Sequence, residues 1–123
     1  MQKKLLIVDD SSISRSRIAR AALHADLTGL SICGLASNGV EALEISIREK
    51  PQLVTMDLTM PGMDGVSCID AMVKQLPAVK ILVISALSDK LTAIQALKKG
   101  ATGFLYKPFT DEQLANALAE ISA

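Results

Sequence analysis

Five times along this chain a short apolar run is followed by a segment of helical periodicity. The runs are Leu5-Leu6-Ile7-Val8, Leu30 to Ala36, Leu53-Val54-Thr55-Met56, Lys80 to Ile84 and Gly103 to Tyr106. Most are continuously apolar rather than alternating, which is the pattern of a strand buried on both faces. Strands that alternate with helices imply a parallel sheet with right-handed crossovers. Five units of about 20 residues are too few for a closed eight-fold barrel. An α/β chain of the form (βα)5, folded as an open three-layer sandwich, is what remains.

The helical segments carry their own punctuation. The first runs from Ser12 to about Ala25, with Ile13, Ile18, Ala22 and Ala25 as its apolar positions. Asn38-Gly39-Val40-Glu41 reads as a capping box opening the second, which places Val40, Leu43 and Ile47 on one face. Lys50-Pro51 stops it, because the residue before proline is pushed away from helical angles. The third spans Val66 to Gln75, with Pro77 beyond it, and the fourth runs from Asp89 to Lys99 with Gly100 as its cap. Thr110-Asp111-Glu112-Gln113 is a second capping box, and Leu114, Leu118 and Ile121 face inward from the helix it opens.

The 123 residues suffice for one domain, residues 1–123, with one core. Thirteen basic residues balance thirteen acidic ones, so no basic face for nucleic acid is expected. No apolar run approaches the roughly 20 residues of a membrane helix. Leu5 to Val8 is also too short for the core of a signal peptide, so the cytoplasm is the expected compartment. Cys33 and Cys68 form no CxxC pair and read as buried free thiols, and His24, the single histidine, reads as a surface side chain.

Chemistry in open parallel sheets collects outside the carboxyl ends of the strands. Asp9 and Asp10 follow the first run, and Asp57 ends the third within LVTMDLTMPGMDG, just ahead of a Pro61-Gly62 turn. Ser85 follows the fourth and Lys107 the fifth. Wound in the flavodoxin-like order, the sheet brings these five together. Three carboxylates in one place repel one another unless a cation sits among them. Oxygen donors without thiolate or imidazole favour a hard ion, and Mg2+ suits one that keeps waters and meets a phosphate. Asp10 and Asp57 are candidate direct ligands, with Asp9 acting directly or through water. A carboxylate can attack phosphorus to give an acyl phosphate. The cation, the lysine and the hydroxyl would then neutralise the transferring oxygens.

The combination of IVDD, MDLTMPGMDG, ISA and YKPF, spread over essentially the whole chain, resembles the response-regulator receiver family of two-component signalling. The resemblance implies a flavodoxin-like fold with strand order 2-1-3-4-5. It implies that Asp57 accepts a phosphoryl group from the phosphohistidine of a sensor histidine kinase or phosphotransfer protein. Asp9, Asp10, Asp57 and the backbone carbonyl of Thr59 would hold Mg2+ (or Mn2+). Ser85 would bond the phosphoryl group, Lys107 would pair with it, and the peptide before Pro108 would be cis. Phe104 would fill space beneath the loop after strand four when Ser85 moves, although many relatives carry tyrosine there. Thr59 and Leu87 occupy the positions that tune phosphate lifetime, and an apolar Leu87 implies slow self-dephosphorylation.

Output would appear on the face of helix four, strand five and helix five, with Ala93, Ala96, Phe104 and Tyr106 as candidate contacts, although helix four also needs apolar residues for the core. The output protein is not identified by the resemblance, chemotaxis or motility being one setting. The chain is expected to be no enzyme beyond its own phosphotransfer and autodephosphorylation. It is expected to act by binding partners, not nucleic acid or membrane.

Three other readings fare worse. A flavin- or nucleotide-binding protein wants a glycine- or Ser/Thr-rich loop after the first strand, where Asp9-Asp10 would repel phosphate without a metal. A phosphohydrolase with an aspartyl nucleophile places nucleophile and acid two residues apart on one face, which adjacent Asp9 and Asp10 do not. A scaffold that never takes phosphate would not need the intact acidic set.

Overall fold

A computed structural model describes residues 3–24, 27, 29–58 and 64–123. The five apolar runs become the parallel strands β1 (Lys3–Val8), β2 (Leu30–Ala36), β3 (Leu53–Asp57), β4 (Lys80–Ala86) and β5 (Gly103–Lys107). They lie in one sheet in the order β2-β1-β3-β4-β5, the flavodoxin-like winding that the resemblance implies. Between them run α1 (Ser12–His24), α2 (Gly39–Glu49), α3 (Gly65–Gln75), α4 (Lys90–Lys98) and α5 (Asp111–Ser122).

Successive side chains on a strand point to opposite faces, so a run that is apolar throughout feeds two cores at once. Leu5 and Ile7 join Ile18, Ala21 and Ala22 of α1 and Leu114, Leu118 and Ile121 of α5. Leu6 and Val8 join Ala42 and Ile45 of α2, Cys68, Ile69 and Met72 of α3, and Ala96 of α4. The pairing of β1 with β2 slips between Leu5, opposite Ile32, and Leu6, opposite Gly34. Cys33 is therefore the extra residue of a bulge on this edge strand, where such irregularities discourage further pairing.

Two helices present a different face from the one their spacing implies. On α1, Ile13 is exposed, and Ile18, Ala21 and Ala22 make the contact; Ala25 lies outside the described residues. On α2, Val40 and Ile47 are 55% and 59% exposed, while Ala42, Ile45 and Ser46 are buried. Leu43 packs only at the margin of the core. Both stripes have helical spacing, and the buried one includes small residues that let α2 approach the sheet closely. Size alone misled the phase.

The caps account for where the helices begin and end. Asn38 Oδ1 accepts from the Glu41 N–H at 2.8 Å, but the Glu41 carboxylate returns to the Ser37 N–H (3.0 Å), one residue before the cap. The Thr110–Gln113 box closes in both directions. Asp64, unnoticed in the sequence, caps α3 by accepting from Ser67 N at 2.8 Å, and that bond holds its carboxyl below the usual range. A 3-10 turn, Leu87–Asp89, precedes α4, which begins at Lys90 rather than Asp89. Gly100 beyond it has φ +118, a conformation that glycine adopts at little cost. Cys33 is only half-buried, whereas Cys68 is buried and its thiol is pushed up to about 11. Among the described residues no helix is long and apolar enough to cross a membrane.

The phase of α2 is testable by denaturant unfolding. Ile45→Ala should cost about 2–5 kcal/mol, as expected for a buried isoleucine. Ile47→Ala, although it removes the same atoms, should stay within about 0.5 kcal/mol of wild type.

Candidate functional site

The site is assembled by the ends of four neighbouring strands. Asp9 follows β1, and its N–H is anchored on the Ala36 carbonyl at the end of β2 (3.0 Å). It is only 1% exposed. Its Oδ1 accepts from the Ser11 N–H at 2.9 Å, and Arg15 Nη1 donates to its main-chain carbonyl at 2.6 Å. Its Oδ2 is buried and, among the described residues, has no hydrogen-bond partner. Asp10 stands exposed at the mouth. Asp57 closes β3 at 2% exposure, with Lys107 Nζ 3.4 Å from its Oδ2. Asp9, Asp10 and Asp57 each offer an oxygen within 4.8 Å of the other two.

Electrostatically this is an acidic hole with the Lys107 amine in contact. Burial is the largest influence on Asp9 and lifts its pKa above the ordinary carboxylate range. The Ser11 hydrogen bond works the other way, the charge on Asp57 adds to the rise, Lys107 partly offsets it and Asp10 adds slightly. A buried carboxylate oxygen without a donor, set among oxygen ligands only, fits a hard divalent cation rather than a thiolate-loving one. The proposed contribution of Thr59 lies outside the described residues, as do Pro61 and Gly62.

Ser85, at the end of β4, is fully buried, and its hydroxyl has no partner among the described residues. Asp57 pairs in register with Ile84, and Ala86 with Lys107, which puts Ser85 one position beyond the acid and one before the amine. The Lys107–Pro108 peptide is cis. Gly65 opens α3 so close to this loop that an added Cβ would meet the Leu58 side chain at 2.8 Å and the Asp57 carbonyl at 3.2 Å. Only glycine permits that approach.

Other sites named from sequence fall further out. Leu87 begins the turn after β4 and is exposed. Phe104 is 44% exposed and packs on Tyr106 with centroids 5.0 Å apart, so its ring lies on the surface in this structure. Tyr106, not Phe104, is the residue in register with Ser85. Ala93 and Ala96 are buried, and α4 uses them for the core, so they are not surface contacts. Thr55, two residues before Asp57, adds a buried hydroxyl without a partner among the described residues, and Arg15 supports Asp9. Neither was singled out from sequence, because a threonine in a strand and an arginine in a first turn are both ordinary.

Residues 5–119 match the family of the response regulator receiver domain. The chain is 39% identical over 122 residues to the chemotaxis protein CheY of Thermotoga maritima, covering 99% of each. It is 36% identical over 115 residues to the CheY of Listeria monocytogenes, covering 94% of each. The CheX–CheY–BeF3–Mg2+ complex from Borrelia burgdorferi superposes with a TM-score of 0.89 at 27% identity, over 98% of this chain and 90% of that one. The chain belongs to the response-regulator receiver family and is a CheY-like domain of two-component signalling.

Because folding raises the Asp9 pKa, the folded state holds that proton more tightly than the unfolded one. Below the ordinary carboxylate range both states are protonated and nothing is lost. As pH climbs through the raised folded value, the cost of burying the charge becomes complete. In chelator at pH 7, Asp9→Asn should therefore melt above wild type. Thermal scans across pH should show the gap closing as pH falls toward about 4. A gap that is constant or widens toward acid would contradict the assignment.

Proposed function

We propose that this receiver takes a phosphoryl group onto Asp57 from the phosphohistidine of a histidine kinase or phosphotransfer protein, and that the α4–β5–α5 face then changes its affinity for a partner protein. The observation that carries this is the placement of Asp57: nearly out of water, with Lys107 at 3.4 Å and two further carboxylates close by. The similarity to proteins named CheY supports chemotaxis as the setting.

An Asp57 oxygen attacks phosphorus in line, the phosphorus–nitrogen bond breaks, and its electron pair returns to the imidazole, which takes a proton from solvent. Asp9, Asp10, Asp57 and the Thr59 carbonyl would hold Mg2+ (or Mn2+), which when bound neutralises phosphoryl oxygens. Burial of Asp57 leaves its carboxylate poorly hydrated, and Lys107 supplies the charge that offsets this. After transfer the ammonium is positioned to follow the negative charge onto a phosphoryl oxygen. Ser85, whose buried hydroxyl lacks a partner among the described residues, donates to another. Its movement pulls Ala86 and the turn at Leu87–Asp89, and Phe104, already beside Tyr106, turns inward into the space released. Such a two-state element needs only a local change of charge to bias it.

Intact mass after incubation with Mg2+ and a small acyl phosphate tests the chemistry. One phosphoryl addition is expected, dependent on Mg2+ and absent in Asp57→Asn; addition that persists in Asp57→Asn would place the acceptor elsewhere. Leu87 is apolar and lies two residues beyond Ser85, where on this reading it shields the acyl phosphate from attacking water, so Leu87→Glu should shorten its lifetime several-fold in a decay assay. Unchanged decay would remove Leu87 from that role.

A further inference from the structure

Lys107 reaches Asp57 from the very end of β5, and only Pro108, Phe109 and Thr110 separate it from α5. That short link is gripped by one side chain on α1, the helix packed beside α5. Arg17 Nη2 donates to the Phe109 carbonyl. The same guanidinium lies 4.8 Å above the Phe109 ring, and its Nε is 3.6 Å from Asp111 at the start of α5. Arg17, Phe109, Asp9 and Lys107 also border a cleft of about 210 Å³ that leads to the acidic site.

Resting on Asp57 as the acceptor, we propose that Arg17 is a positioning residue for phosphotransfer: by holding the Lys107–Phe109 link against α1, it sets where the Lys107 ammonium stands. The ion pair with Asp111 is largely exposed, at 45% and 71% for the two side chains, so it contributes little to stability. What distinguishes Arg17 is that a planar, forked cation touches a carbonyl, a ring and a carboxylate of one short segment simultaneously. Lysine, a point charge on a flexible stem, cannot reproduce that. The need for such a clamp follows from Lys107 itself. Its stem is long, its contact with Asp57 is a loose 3.4 Å, and it must transfer its attention from carboxylate to phosphoryl oxygen within one reaction.

The test is a double-mutant cycle on the rate of phosphorylation by a small acyl phosphate at saturating Mg2+, read by intact mass, with thermal unfolding measured in parallel. Arg17→Met keeps the aliphatic stem and should lower the rate roughly tenfold, since modest misplacement of a catalytic group has effects of this order. Arg17→Lys, which retains stem and charge and so secures a folded variant, should not restore it. In a Lys107→Met background, Arg17→Met should cost nothing further. Equal losses in both backgrounds, rescue by lysine, or a wild-type rate in Arg17→Met would each overturn the proposal. Wild-type protein that takes up no phosphoryl group would overturn the acceptor reading as well, which separates the two failures.

Discussion

Three carboxylates with oxygens within 4.8 Å of one another, two of them almost withdrawn from water, are an arrangement that no fold reaches without compensation. Like charges at that spacing repel, and burial strengthens the repulsion by lowering the local dielectric. The rest of the architecture is answerable to this point. The parallel sheet exists in an order that places β1 and β3 side by side, so that their terminal acids meet. The amine that answers them comes from β5, two strands away from β3. The Ala36 carbonyl, the Ser11 N–H and the Arg15 guanidinium hold Asp9 in place at the cost of its hydration.

The compensation is incomplete, and that incompleteness is what gives the site its use. The Lys107 ammonium faces the cluster, while among the described residues one carboxylate oxygen of Asp9 lacks a donor and the hydroxyls of Ser85 and Thr55 are in the same condition. Buried polar atoms left without partners are uncommon in native proteins and concentrate where something is to bind. Adding a divalent cation and a phosphoryl group would satisfy the charge and the hydroxyl together. On the proposed function, phosphorylation at this edge would move Ser85 and, through the adjoining turn, the surface of α4 and β5.

Much of this was legible in the residues. The doubly buried strands announce themselves as continuous apolar runs, and the acids stand immediately after them, so the site residues Asp9, Asp10, Asp57, Ser85 and Lys107 could be named without coordinates. The helix faces were less legible. The Val40-Leu43-Ile47 stripe is larger and more apolar than Ala42-Ile45-Ser46, yet the smaller stripe is the buried one because close approach to the sheet rewards small side chains. Ala93 and Ala96 were candidates for the surface because the resemblance places output on the helix-four face, and they belong to the core. Asp64 as a cap, Arg15 behind Asp9 and Arg17 on the Phe109 link were invisible. Each acts on backbone that comes near only through its local turn or the tertiary fold.

The most direct measurement of the central claim is thermal unfolding with beryllium fluoride, which stands in for a phosphoryl group on a carboxylate. Ligands that bind only the folded state raise its melting temperature by mass action. With Mg2+ and beryllium fluoride together the melting temperature should rise well beyond the effect of either alone, and the rise should vanish in Asp57→Asn. A folded wild-type protein that shows no joint effect, or an Asp57→Asn protein that keeps it, would contradict the assignment of Asp57 as the phosphoryl acceptor.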